Sequence, residues 1–513
     1  MADQLLYRLT GFIQKAKSYM PGACGDEDPG EQTHFAKHGH SRADTELSNF
    51  QPLDETGESG FAETELTEGT GMNGLGPRRS VDCVDEFGGK EGEKISEWQA
   101  GWNVTNAIQG MFIVSLPFSV LHGGYWGVVA LVFVAYMCCH TGKILVACLY
   151  EPNERGELVR VRDSYVAVAQ TVLGPRWGGK AVNIAQIIEL LMTCILYVVL
   201  CGDLMIGSFP EGAVDQRSWI MLTTMVLLPC AFLRNLKSVS LLSFWCTVTH
   251  LCINAIILGY CLTRAPEWAW AKVQFRININ KFPVTMGIVV FSYTSQIFLP
   301  TLEGNLRDKS KFHCMLNWSH IAAAVFKALF AYALFAYVCF LTWAEETQEV
   351  ITNNLPTKGF KVVVNLILVA KALFSYPLPY FAASALIEHA YFRERPKTLF
   401  PSCYAIDGEL RIWGVALRVG LVVFTMLMAI SIPYFALLMG LIGSFTGTML
   451  SFIWPCYFHM KLKWDTMEWY SISWEVFIMC FGGFSGLVGI YTSFAGLVEA
   501  YHLPLPHVPV IES

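Results

Sequence analysis

The sequence carries little charge and contains no recognisable metal-binding or catalytic motif. Only 15% of its 513 residues are Asp, Glu, Lys or Arg, whereas 53% are hydrophobic; soluble domains average about a quarter charged. The 16 cysteines lie mostly in apolar runs and lack zinc-site spacing. A near match to a phosphate-binding loop, GPRWGGKA, lacks the final hydroxyl residue and follows no predicted strand. The composition therefore predicts an integral membrane protein that is neither an enzyme nor a nucleic-acid binder.

The charge that is present is distributed unevenly. Residues 1–97 contain 9 Lys and Arg against 19 Asp and Glu, a net charge of −10, whereas the remainder carries +4. This first segment is rich in Gly, Asp and Glu, shows no sustained hydrophobic period and has no stretch suited to a signal peptide. We therefore predict an acidic, disordered cytosolic tail over residues 1–97.

Long apolar runs fill the rest of the chain. A bilayer core about 30 Å thick needs about 20 apolar residues per helix. We therefore predict an all-α integral membrane protein with a transporter domain over 98–499 and a short C-terminal tail over 500–513. Eleven segments qualify as spans: 98–121, 125–147, 181–203, 216–233, 238–262, 283–302, 317–343, 360–388, 412–430, 433–458 and 473–499.

The connecting loops predict the orientation of these spans. Cytosolic loops carry an excess of Lys and Arg in membrane proteins. If the N-terminus is cytosolic, the short cytosolic loops hold 16 Lys and Arg and the opposite loops hold 6. We therefore expect a cytosolic N-terminus and, with an odd number of spans, a lumenal C-terminus.

The first span contains an unusual polar stretch, WNVTNAIQGMFIVSLP. It places Asn103, Asn106 and Gln109 in mid-membrane, followed by Gly110. A helix can be interrupted there only where its freed backbone groups line a cavity or meet protein. Gly110 permits such a break, and the exposed N–H groups suit a carboxylate, as in many secondary transporters. The alternative is that the amides only bridge neighbouring helices.

The sixth span has the same character. It places Ser292, Tyr293, Thr294 and Ser295 at its centre. Interrupted helices at matching places in two five-helix halves predict an inverted repeat with broken first and sixth helices, the eleventh helix being an addition. The alternative is an ordinary helix whose hydroxyls bond back to its own backbone.

Several ionisable residues lie within the predicted spans. A charged Glu189 at mid-span costs about 2.5 kcal/mol or more, so it is a candidate for proton coupling; alternatively it is a protonated residue bonded to Gln186. His250 is a second candidate, unless it is a satisfied core residue. Lys371 could pair with Glu189 or hold an anion. Arg418 is near enough to the cytosolic face to extend its charge into water.

Long strings in this sequence resemble the vesicular inhibitory amino acid transporters, within the amino acid/auxin permease family. They include GWNVTNAIQGMFIVSLPFSVLHGGYWG, AVNIAQIIELLMTCILYVV and FSYTSQIFLPTLEGN, and the resemblance covers about residues 86–500. It implies a fold with broken first and sixth helices in inverted five-helix repeats. Ile108 departs from the wider family, where a glycine is common. The acidic tail and the C-terminal residues do not match closely.

The resemblance also implies a function. Such transporters load γ-aminobutyrate and glycine into synaptic vesicles in exchange for lumenal protons, without a cofactor. They depend on a vacuolar proton pump, and a chloride contribution has been proposed. The expected location is the synaptic vesicle membrane, in contact with lipid and with sorting adaptors on the N-terminal tail. A plasma-membrane amino acid symporter and a non-transporting amino acid sensor of the same fold remain alternatives.

Overall fold

The computed structural model describes residues 96–502 apart from several gaps. The gaps are residues 99, 102–103, 105–110, 175–176, 213, 230–251, 273–280, 357, 393–402 and 404–410. The predicted tail therefore lies almost wholly outside the described residues, as do the last eleven residues of the chain.

Helices make up most of the described chain. In its first half they are α1 Leu116–Gly123, α2 Trp126–Ala147, α3 Tyr165–Leu173, α4 Gly178–Ser208, α5 Gln216–Leu227, α6 Cys252–Thr263, α7 Phe282–Tyr293 and α8 Leu299–Gly304. In its second half they are α9 Phe312–Val325, α10 Tyr337–Trp343, α11 Lys358–Ser375, α12 Pro377–Tyr391, α13 Ile412–Ser431, α14 Phe435–Ile442, α15 Trp454–Lys463 and α16 Trp469–His502.

Wider π-helical turns join some of these helices into longer rods. The π-helical segment Phe326–Ala336 connects α9 to α10, and two shorter ones, Gly443–Gly447 and Met449–Ile453, connect α14 to α15. Such turns are rare in proteins, and those that do occur often lie at functional sites. Short 3₁₀ turns occupy Met111–Ser115, Ala265–Glu267, Trp270–Lys272, Lys309–Lys311, Ala344–Glu346, Ile351–Asn354 and Trp464–Thr466.

Seven helical stretches in the described residues are long and apolar enough to cross a membrane. Three of the remaining predicted spans appear as shorter apolar helices, Ile113–Gly123, Cys252–Thr263 and Phe282–Tyr293. The chain is thus a mainly helical membrane protein, as predicted, while the count of eleven spans stays a prediction. The last helix, α16, continues beyond the predicted boundary at 499 to His502.

The prediction of an all-α chain was wrong in one place. Strands β1 Tyr150–Pro152 and β2 Leu158–Arg160 pair antiparallel, with Glu151 opposite Val159. The side-chain oxygen of Asn153 accepts hydrogen bonds from the main-chain N–H groups of Arg155 and Glu157, and closes the turn. A search for apolar runs about 20 residues long cannot detect a hairpin made of three-residue strands.

The prediction that Arg418 extends its charge into water was wrong. Its side chain is buried, and its Nε lies 3.1 Å from Glu388 Oε1 on α12. The guanidinium also lies 5.6 Å from the centre of the Phe381 ring. The charge of Arg418 is therefore balanced by the Glu388 carboxylate on the neighbouring helix, and not stabilised by water as expected.

Close backbone contact holds α7 against α14 and the π-helical segment that follows it. A Cβ atom added to Gly443 would collide with the main-chain oxygen of Gly287, and one added to Gly287 would collide with the main-chain oxygen of Gly440. Glycine permits this approach because it has no side chain, as small residues do at many membrane helix interfaces. The half-helix α7 is thereby fixed in the centre of the bundle.

Candidate functional site

The sixth predicted span is interrupted at its centre. Helix α7 ends at Tyr293, Thr294 is extended with φ −64° and ψ 103°, and a helix resumes only at Leu299. Pro300 stands in the first turn of α8, where its missing N–H would have had no helical partner. The interruption leaves the last carbonyl groups of α7 without the N–H partners that a continuing helix would supply.

The four predicted site residues of this span divide into two pairs. The hydroxyl of Ser292 donates to Val289 O at 2.7 Å, and that of Thr294 donates to Val290 O at 3.2 Å. These two hydroxyls are bonded to their own helix, which was the alternative interpretation. Tyr293 and Ser295 are 0% and 2% exposed, and their hydroxyls have no hydrogen-bond partner among the described residues. They are the free polar groups of the break.

Gln296 supports the break and was missing from the predicted site. It is fully buried, and its Oε1 accepts hydrogen bonds from Ser451 Oγ at 2.9 Å and from the Ser295 N–H at 3.0 Å. Its Nε2 lies 3.3 Å from Thr141 Oγ1 on α2. Gln296 therefore ties the unwound segment to two other helical rods. Its position directly after Ser295 was the available signal.

The site residues predicted in the first span lie outside the described residues, as does His250. They are Asn103, Asn106, Gln109 and Gly110. The described chain resumes with the 3₁₀ turn Met111–Ser115, which leads into α1.

Glu189 links two helical rods in the membrane interior. It is 3% exposed, and its carboxylate accepts a hydrogen bond from the hydroxyl of Thr446 in the π-helical segment Gly443–Gly447. The predicted partner Gln186 does not fill this role, since its Oε1 has no partner in the described chain. Lys371 is buried on α11, and the hydrogen bond that Glu189 accepts in the described chain comes from Thr446 and not from Lys371.

Besides Lys371, a second buried lysine is present, and this one lies at the break in the sixth span. Lys327, in the π-helical segment Phe326–Ala336, is 3% exposed. Its Nζ donates to Ser292 O at 2.5 Å and lies 4.1 Å from the centre of the Tyr293 ring. The sequence marks Lys327 only by its depth in an apolar run.

The segment that connects α10 to α11 ties four spans together at one face of the bundle. Glu349 accepts a hydrogen bond from Ser115 Oγ on its main-chain oxygen, at 2.8 Å, and one from the Ala436 N–H on Oε2, at 2.9 Å. Asn353 Nδ2 donates to Asp203 Oδ2 on α4 at 2.9 Å, and Asn365 on α11 donates to Asn353 Oδ1 at 3.0 Å.

The contribution of Glu349 in this connection to the stability of the folded protein should depend on pH. Burial, and to a smaller extent the nearby Asp203 carboxylate, raise the pKa of Glu349 to about 7 from the ordinary 4.5. Between these pH values the folded protein binds a proton that the unfolded chain does not, so this group makes the folded state more stable as the pH falls from about 7. We predict that Glu349→Gln melts above the wild-type protein at pH 8 and level with it at pH 5.

Melting curves of the purified protein in detergent would test this prediction. Glu345→Gln is the matched control, because Glu345 is an exposed residue of the same connection. A constant difference between Glu349→Gln and wild type across this pH range would contradict the prediction.

The geometry defines a class of protein: a helical membrane carrier with an interrupted helix and buried ionisable groups at its centre. The family described as "Transmembrane amino acid transporter protein" matches residues 93–495. The vesicular inhibitory amino acid transporter of Homo sapiens is 56% identical over 433 residues, covering 83% of this chain and 81% of that protein. The vesicular GABA transporter of Caenorhabditis elegans is 44% identical over 466 residues, covering 89% and 93%.

The chain therefore belongs to the transmembrane amino acid transporter family, among the vesicular inhibitory amino acid transporters. It is a multi-pass vesicle membrane protein that transports amino acids, and the prediction that it is not an enzyme is confirmed. A solved structure of a Na⁺-coupled sialic acid symporter is loosely similar, with a TM-score of 0.45 and 13% identity, covering 82% of this chain and 92% of that one.

Proposed function

We propose that this protein is a proton-coupled antiporter that loads γ-aminobutyrate and glycine into synaptic vesicles. The observation that carries the proposal is the interrupted helix α7–α8, where buried, unpartnered hydroxyls adjoin a buried cation. Such a break is suited to a small zwitterion, and a buried group that gains and loses charge is suited to proton exchange. The names of the relatives support inhibitory amino acids as substrates.

The substrate is proposed to lie between the first and sixth spans of an eleven-span, inverted-repeat fold. Its carboxylate would meet the backbone at Gly110, with Asn103, Asn106 and Gln109 nearby, and Tyr293 and Ser295 would face its other end. A cytosolic N-terminus and a lumenal C-terminus follow from the charge of the loops. The driving force would come from a vacuolar proton pump, with a contribution from chloride and no cofactor. Sorting adaptors would bind the N-terminal tail.

Uptake of radiolabelled γ-aminobutyrate into proteoliposomes of the purified protein tests this function. With an acidic, positive interior we expect accumulation that collapses when a protonophore is added. Uptake that requires sodium instead would favour a plasma-membrane symporter. Binding of γ-aminobutyrate and glycine without transport of either would favour a sensor.

The free hydroxyl of Ser295 gives a prediction about substrate affinity. We expect Ser295→Ala to raise the KM for γ-aminobutyrate about fivefold to tenfold, since one hydrogen bond contributes about 1 kcal/mol. Ser319→Ala is a matched control, because Ser319 is equally buried but its hydroxyl already donates to Leu316 O at 3.0 Å. Initial rates of uptake across substrate concentrations provide the measurement. Equal KM values for the two variants would remove Ser295 from the site.

A further inference from the structure

Lys327 is the buried cation beside the break, and the proposed transport cycle has so far assigned it no step. Within the described residues no carboxylate lies within 4 Å of its Nζ, and its polar contact is the main-chain oxygen of Ser292. A buried ammonium group without a counter-charge is costly to maintain. Its presence beside the break therefore calls for a role beyond packing.

The carbonyl that Lys327 holds belongs to the end of the half-helix α7. The neighbouring carbonyls already have partners, because Ser292 and Thr294 occupy those of Val289 and Val290, and the Thr294 N–H occupies that of Phe291 at 3.2 Å. Unlike these three carbonyls, that of Ser292 accepts its hydrogen bond from a different helical segment, Phe326–Ala336. It also stands at the negative end of the helix dipole.

An amino acid's ammonium group would bind to the same features. Carbonyls at the end of a half-helix and the face of an aromatic ring both attract cations, and Lys327 now contacts one of each: Ser292 O at 2.5 Å and the Tyr293 ring at 4.1 Å. The Tyr293 and Ser295 hydroxyls remain unpartnered beside it. In this structure the side chain of Lys327 therefore occupies the position suited to a substrate ammonium.

We propose that the ammonium of Lys327 is a tethered competitor of the substrate ammonium at Ser292 O. Resting on the proposed antiport, the inference is that substrate binds from the cytosol when Lys327 gives its proton to water and releases this carbonyl. A proton from the lumen then restores the ammonium, which retakes the carbonyl and expels the substrate. Proton and substrate exclude each other at one atom, which is the condition for their exchange.

The surroundings of Lys327 allow its charge to change. The titratable groups that face it in the described chain are Cys138 on α2, Tyr293 on α7 and His320 on α9. No carboxylate among them holds the ammonium in its charged form. The charge of Lys327 is thereby left to depend on what else occupies the break.

Release of protons on substrate binding tests the proposal directly. Purified protein in weakly buffered detergent, with a pH-indicator dye, receives γ-aminobutyrate, and binding is measured in parallel with radiolabel. Lys327→Gln keeps a donor for Ser292 O but has no proton to lose, whereas Lys327→Arg keeps a charge that does not titrate. Lys463→Gln is the control, because Lys463 likewise donates to a main-chain oxygen, Tyr150 O at 3.0 Å, far from the break in sequence.

Wild type and Lys463→Gln should release protons in proportion to bound substrate. Lys327→Gln should bind γ-aminobutyrate and exchange it across proteoliposomes, but release no protons and lose gradient-driven accumulation. At neutral and higher pH, Lys327→Arg should bind γ-aminobutyrate at least about tenfold more weakly than wild type, because its competing charge cannot leave.

Proton release from Lys327→Gln equal to that of wild type would overturn the proposal. Loss of both binding and exchange in Lys327→Gln would also overturn it, since Lys327 would then only hold the site in shape. Failure of the antiport function itself is recognised separately, because wild-type proteoliposomes would then show no gradient-driven accumulation.

Discussion

Replacement of Glu189 by glutamine is expected to abolish gradient-driven accumulation of γ-aminobutyrate while leaving the protein folded. Glutamine has nearly the same shape, and its side-chain oxygen can still accept the hydrogen bond from Thr446. What it removes is a buried carboxylate that can change charge between two helical rods. Since a buried charge is costly, its gain and loss are suited to driving movement of one rod against the other.

Accumulation in proteoliposomes with an imposed proton gradient provides the measurement. Glu303→Gln is the matched control, because Glu303 is also a buried carboxylate but lies 3.4 Å from the guanidinium of Arg160 and keeps a fixed counter-charge. Glu303→Gln should retain gradient-driven accumulation. Normal accumulation by Glu189→Gln would instead leave proton coupling to Lys327, His250 or Lys371.

The second large effect is expected at the glycine contact between α7 and the tenth span. Gly443→Val would place a side chain against the main-chain atoms of Gly287, which no rotamer change can relieve. Overpacking costs about 1–3 kcal/mol where side chains can adjust, so a backbone collision should cost at least about 3 kcal/mol. We expect little folded protein and no transport from this variant.

Yield and melting temperature by size-exclusion chromatography would measure the effect. Gly420→Val on α13 is the control, because a Cβ atom there meets nothing within 4 Å. It should behave as wild type. A Gly443→Val protein that melts within about 2 °C of wild type would show that α7 is free to move away, and that it is not fixed as the glycine contact indicates.

The sequence predicts the helical character of the chain well because membrane spans depend on composition summed over many residues. The break in the sixth span was also predictable, since a run of polar residues in an apolar segment is a strong local signal. The hairpin Tyr150–Arg160 was missed because it depends on side-chain hydrogen bonds in a short loop. The connection through Glu349 was missed because its partners are distant in sequence, Ser115 among them.

Within the candidate site, residue type alone did not separate bound groups from free ones. Ser292 and Ser295 are both serines in the same polar run, yet one hydroxyl bonds to its own helix and the other has no described partner. The difference depends on the residue at which α7 ends. Sequence patterns do not locate the end of a helix to a single residue. The place of Lys327 at the break could be recognised only from the tertiary structure, since Lys327 and Ser292 are 35 residues apart in the chain.

The π-helical segment Phe326–Ala336 has a consequence for comparing this chain with its relatives. Lys327 faces the break near one end of the segment, and just beyond the other end Tyr337 stacks on Tyr125 with ring centres 4.7 Å apart. Each residue advances a helix by a large fraction of a turn, so deleting one residue between these two positions would rotate one of them away from its neighbour. A relative whose alignment has a single-residue gap here should therefore not be assumed to keep a lysine at the break, even where a lysine is aligned.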